Sequence, residues 1–332
     1  MRLKRIIISA LFVALLSTFS VLPMAAGAEQ GNFSLQVTPS PLVLSIKPGE
    51  STTSDLNIRN NGDKTENLKI ELRSFTVGDS TNQVSLNDSA PADVSSWVTF
   101  AQPTFTIAPG QWFTEKITVN LPSDAGFSYA FALVISRAND TTSVKPGESA
   151  LKGSVAVFTL ISVDRPDAKK QLEVTAFQAS QKVYEYLPAT FKVTFKNTGN
   201  TIVQPYGNIF VQRTASSNTP LSTLPVNEAH SYILPGTSRT VSIDWGEGFP
   251  AYVQTQTNAN TGSKKQLIWD WSKLSNIRFG RYSAKLVAVY NDGTRDVPLE
   301  ADTSFWIIPW KIIGGLLVVT LLLAVGVITI IK

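Results

Sequence analysis

Short runs in which every second residue is apolar recur along the middle of the chain. They restrict it to antiparallel sheet with one face buried and one face wet. In LKIEL, Leu68, Ile70 and Leu72 share one side while Lys69 and Glu71 share the other. EKITVNL repeats the pattern with Ile117, Val119 and Leu121, and TFKVTFKN with Phe191, Val193 and Phe195. SRTVSIDW places Val241, Ile243 and Trp245 inward. Clusters of Gly, Pro and Asn separate these runs, as turns between short strands require. No helical periodicity of comparable length lies between residues 29 and 308, so the body is expected to be all-β.

Two apolar segments bracket that body. The first, MRLKRIIISALFVALLSTFSVLPMAAGAEQ, has a basic start, an apolar run from Ile6 to Leu22, and small residues at Ala26 and Ala28. This is the pattern of a secretory signal peptide over 1–28, cut after Ala28, with the following chain exported. The second runs uncharged from Ile312 to Ile331 between Lys311 and Lys332. At about 1.5 Å per residue it measures roughly 30 Å, one hydrocarbon core. The expectation is a single-pass plasma-membrane protein with its bulk extracytoplasmic and a transmembrane anchor over 309–332. Trp306, Trp310, Lys311 and Lys332 are then the interface anchors, because indoles and ammonium groups settle at headgroup level.

The formal charge is +4, but it contains Arg2, Lys4 and Arg5 of the leader; without them 26 basic side chains face 25 acidic ones. No basic block is left to follow a phosphate backbone, so nucleic acid is excluded as a partner. The chain has no cysteine, which removes disulfides, thiolate metal sites, a cysteine nucleophile and a lipoprotein anchor.

An internal repeat sets the domain plan. LNIRNNGD (Leu56–Asp63) parallels VTFKNTGN (Val193–Asn200). Each copy is followed by a Pro-Gly turn, Pro109-Gly110 or Pro235-Gly236, and then by a Gly and a Tyr opening a strand, Gly126 and Tyr129 or Gly280 and Tyr282. A tyrosine there can fold against the corner and hydrogen-bond backbone. Two immunoglobulin-like β-sandwiches in tandem are therefore expected, over 29–165 and 166–308, joined at RPDAKK and followed by one transmembrane α-helix. The second copy holds 27 more residues between the Pro-Gly turn and the tyrosine. Within them Gln254–Lys265 reads as an exposed loop and QLIWDWSKL (Gln266–Leu274) as a short helix over the end of the sandwich. The final strand is expected at Thr303–Ile308, stopped by Pro309, which has no N–H for a ladder.

The first module, from SPLVLSIKPGESTTSDLNIRNNGD to GFSYAFALVISR, resembles the N-terminal domain of bacterial WxL-interacting cell-surface proteins. It is also similar to the first domain of PapD-like chaperones. The second module is similar to adhesion-type β-sandwiches. The resemblance rests on turn residues and implies a leader, two sandwiches and one C-terminal span, with a protein or cell-wall partner.

No residues are expected to be catalytic or to bind a cofactor or metal. His230 is the single histidine, which rules out a site needing two imidazoles. Asp244 with Glu247, and Asp270 between two tryptophans, are the carboxylates that could suit sugar chemistry; a solvated strand end and the polar face of a capping helix are the favoured reading of them. Trp269, Asp270 and Trp271 are the candidate ligand contacts, with packing as the other role for the tryptophans. The leading functional class is a membrane-anchored cell-surface protein displaying immunoglobulin-like domains to a protein or cell-wall glycan. The alternatives are a strand-accepting assembly chaperone of PapD-like type and a sugar-active accessory protein. The Val77–Val94 region and the Gln254–Lys265 loop are the expected contact surfaces.

Overall fold

The structure, a computed structural model, describes residues 32–78, 83–138, 153–213, 219–257 and 261–331. The expected signal peptide and Lys332 lie outside the described residues. The first part of the chain supplies β1 (Leu35–Thr38), β2 (Leu42–Ile46), β3 (Ser51–Asn60), β4 (Glu66–Arg73), β5 (Phe75–Val77), β6 (Val84–Leu86), β7 (Val98–Phe100), β8 (Thr104–Ile107), β9 (Trp112–Asn120), β10 (Ser128–Arg137) and β11 (Ser154–Val163). One sheet has the order β1-β3-β9-β7 and the other β2-β11-β10-β4-β8, with β5 and β6 forming a side ribbon. Their inward residues form one buried cluster: Leu56, Ile58, Ile117 and Val119 from the first sheet meet Leu68, Ile70, Leu133 and Val157 from the second.

A second cluster is built the same way by β12 (Leu172–Ala179), β13 (Val183–Tyr184), β14 (Ala189–Asn197), β15 (Tyr206–Arg213), β16 (Ser222–Val226), β17 (Ser238–Trp245), β18 (Ala251–Thr257), β19 (Thr261–Ile268), β20 (Gly280–Asn291) and β21 (Asp296–Ile307). Here a three-stranded sheet, β12-β14-β17, faces a five-stranded one, β13-β21-β20-β15-β16. Phe191, Val193 and Phe195 are fully buried against Trp245, Tyr282 and Phe305. Among the described residues the fold is thus all-β and immunoglobulin-like, with one apolar helix, α1 (Trp310–Ile331), at the C-terminal end. Val241 and Ile243 are only partly buried, because β17 is the outer strand of its sheet.

The repeated asparagines explain the repeated turns. Asn60 is fully buried; its Nδ2 donates to the carbonyls of Lys64 (2.7 Å) and Ile107 (3.0 Å), and its Oδ1 accepts from Gly62 N (2.9 Å). Asn197, equally buried, donates to Thr201 (2.8 Å) and Ile233 (2.8 Å) and accepts from Gly199 N (2.9 Å). A Cβ on Gly62 would stand 2.5 Å from the Asn32 carbonyl oxygen and one on Gly199 2.2 Å from that of Lys169, so both turns require glycine. The tyrosine corners form as well: Gly126 N donates to the Tyr129 hydroxyl (2.6 Å) and Phe279 N to that of Tyr282 (3.1 Å).

Four expectations need correction. Gln254–Lys265 is a hairpin, not a loop: β18 and β19 pair antiparallel, with Gln254 opposite Lys265. Gln266–Ile268 continues β19, and only Trp271–Asn276 turns, as a 3-10 helix. Val77–Val94 is not open throughout, since β5 pairs with β6 and Val94 is buried in the first core; its residues 79–82 lie outside the described residues. The last strand is also longer than expected. It pairs with β20 over Asp296–Ile307 and accommodates Pro298 because β13 meets it only at Trp306 and Ile307, leaving that edge without a ladder.

Pro309 does separate strand from helix: β21 ends at Ile307 and α1 begins at Trp310. Trp306 N and Ile308 N donate to the carbonyls of Lys182 and Tyr184, at 2.9 and 2.8 Å. Lys311 Nζ reaches the Glu185 carboxylate at 2.7 Å.

Glu115 is a fully buried carboxyl on β9. Burial pushes it above the ordinary 4.5, and hydrogen bonds from Gln102 N and Ala101 N offset only part of this. The folded form therefore holds the proton more tightly, so stability declines as pH rises from 4.5 through the raised value. Glu115→Gln should flatten that portion of the profile and leave the protein more stable above it, read from urea midpoints between about pH 4 and about pH 7. Asn197→Leu, near in size, removes both donors and the acceptor from buried backbone groups. It should cost about 2–4 kcal/mol in urea unfolding, whereas Lys192→Ala on the wet face of β14 should cost little.

Candidate functional site

The residues singled out from sequence do not converge. His230 is exposed, has a left-handed backbone (φ 50°), and its carbonyl accepts from the Gln204 amide. Asp244 lies on the outer face of β17, where Oδ1 accepts from the Thr190 hydroxyl at 2.6 Å. Asp270 caps the 3-10 helix; its Oδ1 accepts from Ser272 N (3.2 Å) and Ser272 Oγ (2.6 Å), and the latter bond holds its carboxyl below the usual range. Trp269 and Trp271 both contact Phe249, with ring centroids 5.8 and 5.2 Å away, yet both are exposed. Trp306 and Trp310 are exposed, and the Lys311 ammonium lies 5.3 Å from the Trp310 ring centroid. Among the described residues no group of three His, Asp or Glu side chains is placed to hold a metal ion.

The feature with binding geometry is β11. It pairs with β10 over Ser154–Ser162, but β2 covers its opposite edge only at Thr159–Val163. The chain before β2 passes through Pro39 and Pro41 to β1, which pairs with β3 in the other sheet. Among the described residues no strand lies against that edge of Val155–Phe158. Val157 is fully buried, and the Phe158 ring meets Phe75 at 5.0 Å edge-on. Four residues of open ladder measure about 13 Å.

Sheet edges are ordinarily blunted by charge, proline or a bulge. SVAVFTLISV, the whole of β11, has no charged residue and no proline, and its pairing with β10 runs without a register shift. Sequence reasoning passed over this run because it reads as an ordinary buried strand. Its ten uncharged residues in a β-branched and aromatic context were the available signal.

At the other end of β11, Ser162 lines a cleft of about 370 Å³. Val43 and Lys170 face Val203, Gln204, Tyr206 and Tyr232 across it. The connecting segment is pinned on both sides: Arg165 donates to the Ala125 carbonyl (2.7 Å) and stacks on Phe127 (4.9 Å), while Lys169 N donates to Asn200 Oδ1 (2.6 Å). A broader hollow of about 650 Å³ opens between β16 and β17, lined by Leu224, Glu228, Arg239 and Ile243.

No family model and no curated protein matches the sequence. The solved structures that the chain is similar to include fimbrial and pilus chaperones and a PapD-like domain of human CEP192. The chain is similar to the CsuC–CsuE chaperone–tip adhesion subunit pre-assembly complex of Acinetobacter baumannii Csu pili, at 10% identity and TM-score 0.37, over 81% of this chain and 98% of that one. It is similar to the YadV chaperone at 9% identity and TM-score 0.36, over 82% and 99%. It is also similar to the CupB2 chaperone of Pseudomonas aeruginosa at 9% identity and TM-score 0.35, over 82% and 100%.

Proposed function

We propose that this chain is a membrane-held, extracytoplasmic binding protein that takes an extended segment of a protein partner onto the open edge of β11. The half-paired strand carries the reading. An edge offers backbone N–H and C=O groups at strand spacing, which a peptide backbone can match and a sugar cannot. The charge-free side chains of Val155–Phe158 suit a segment with alternating apolar residues. The reading joins the cell-surface display expected from the sequence to the strand-accepting alternative. It takes the chain as a leader over 1–28, sandwiches over 29–165 and 166–308, and an anchor over 309–332, in the layout of WxL-interacting surface proteins.

Support for the anchor comes from α1, which is long and apolar enough to cross a bilayer and has none of its Trp310–Thr329 window buried. An apolar surface of that size needs lipid or protein around it. With residues 1–28 read as an export signal, the body that follows stands outside and Trp310 and Lys311 stand at the headgroups.

Photo-crosslinking tests the edge. A probe at Ala156 in the full chain, in native membranes, should give one dominant adduct that maps to an extended segment of a protein. The same probe at Thr99, on β7 of the other sheet, should give far less. Equal yields from both positions, or adducts to polysaccharide alone, would sink the reading.

A further inference from the structure

The 3-10 helix and the residues after it leave a row of large apolar side chains in the open. Trp271 is 68% exposed, Leu274 48%, Ile277 56% and Phe279 49%. Trp269, at 44%, adjoins them through Trp271 at 6.0 Å between ring centroids. Scattered exposed apolar residues are ordinary, but five large ones within eleven residues form a patch of the kind that marks a contact surface.

The topology fixes where this patch lies. Phe279 directly precedes Gly280, and Gly280 pairs with Ile307, three residues before α1 begins. Phe279 therefore sits within roughly 15 Å of the start of the helix. Phe249 N donates to the Asn276 carbonyl at 2.9 Å, tying the far side of the patch to the base of the β18–β19 hairpin. Glu185 then accepts from both neighbours at once: the Tyr252 hydroxyl of β18 at 3.4 Å and the Lys311 ammonium of α1 at 2.7 Å. The patch, the hairpin base and the first turn of the helix share one end of the second core.

From this placement we infer that the Trp269–Phe279 face is a second membrane contact, seated in the interfacial layer of the same bilayer that holds α1. The inference rests on the anchoring part of the reading above. A helix leaving that end and entering lipid brings the headgroup layer up to the patch, so the apolar surface of α1 and that of the patch are continuous. Indole and phenyl rings are favoured at this depth. Lys273 and Arg281, both exposed, flank the row and suit anionic headgroups. The contact makes a two-point attachment: the helix fixes position, and the patch fixes the tilt and rotation of the second sandwich over the membrane.

The absence of cysteine allows a direct test. The full chain is reconstituted in phosphatidylcholine–phosphatidylglycerol vesicles carrying a fluorophore on Leu274→Cys, Ile277→Cys, Val318→Cys or Gln111→Cys. Iodide reports water and a nitroxide lipid labelled just below the headgroup reports the interface. Leu274 and Ile277 should be quenched by the lipid nitroxide and severalfold less by iodide than Gln111 is. If Val318 is shielded from iodide while Leu274 and Ile277 are as open to it as Gln111, the second contact is overturned and the anchor stands. If neither quencher reaches Leu274 and Ile277, protein covers the face, as in self-association, and the inference fails. If iodide reaches Val318, the anchor fails and takes the second contact with it.

Discussion

A buried primary amide at the end of a strand, Asn60 in one core and Asn197 in the other, hydrogen-bonds three backbone groups around its turn. An amide offers two donors and an acceptor, and each asparagine uses both kinds on its own turn and on a distant carbonyl. Removing one would strand several buried polar groups together, which costs far more than a single hydrogen bond contributes. The turns they fix decide where β4 and β15 begin, and hence which strands face one another. In a chain without cysteine this polar joint and apolar packing do the work that disulfides do in many exported domains.

The same economy makes the open edge of β11 stand out. Elsewhere the sheet borders are short strands, or carry proline or charge, as Pro225 does in β16, Pro298 in β21, Glu173 in β12 and Arg239 in β17. β11 has none of these devices and, among the described residues, is covered by β2 over only half its length, because the chain crosses between sheets at Pro39–Pro41. An exposed ladder with uncharged side chains is a liability unless something binds it. The second core carries its own exposed apolar surface at the opposite functional pole, beside the helix. On the reading proposed above, one half of the molecule offers backbone to a partner and the other offers side chains to lipid.

Much of this fold was legible in the residues. Phe191, Val193 and Phe195 alternate with Lys192 and Lys196, and all three are buried. Asn197 with Gly199 and Asn60 with Gly62 announced the paired turns, and Tyr129 and Tyr282 the corners. The β18–β19 hairpin was not legible, since QTQTNANTGSKK is polar at all but Ala259 and Gly262 and shows no apolar alternation. Beyond one bridge from Ala251 to Leu187, its strands pair with each other alone among the described residues, so no sheet neighbour imprinted a period on it. The edge of β11 was hidden for another reason: whether a strand is covered depends on how far its neighbour extends, and nothing in SVAVFTLISV records that β2 stops at Leu42. Trp269 and Trp271 were recognised as notable, but their exposure follows from tertiary placement beside the helix.

The direct join between β21 and α1 has a mechanical side. A pull on the helix passes through Ile308 and Pro309 straight into a strand paired with β20 along twelve residues and with β13 at its last two. Force applied along a strand axis loads the ladder in shear, so its hydrogen bonds resist together rather than opening one after another. Tension between the helix and the rest of the chain is therefore borne by the second core. The final strand is a tendon as well as a wall of the sandwich.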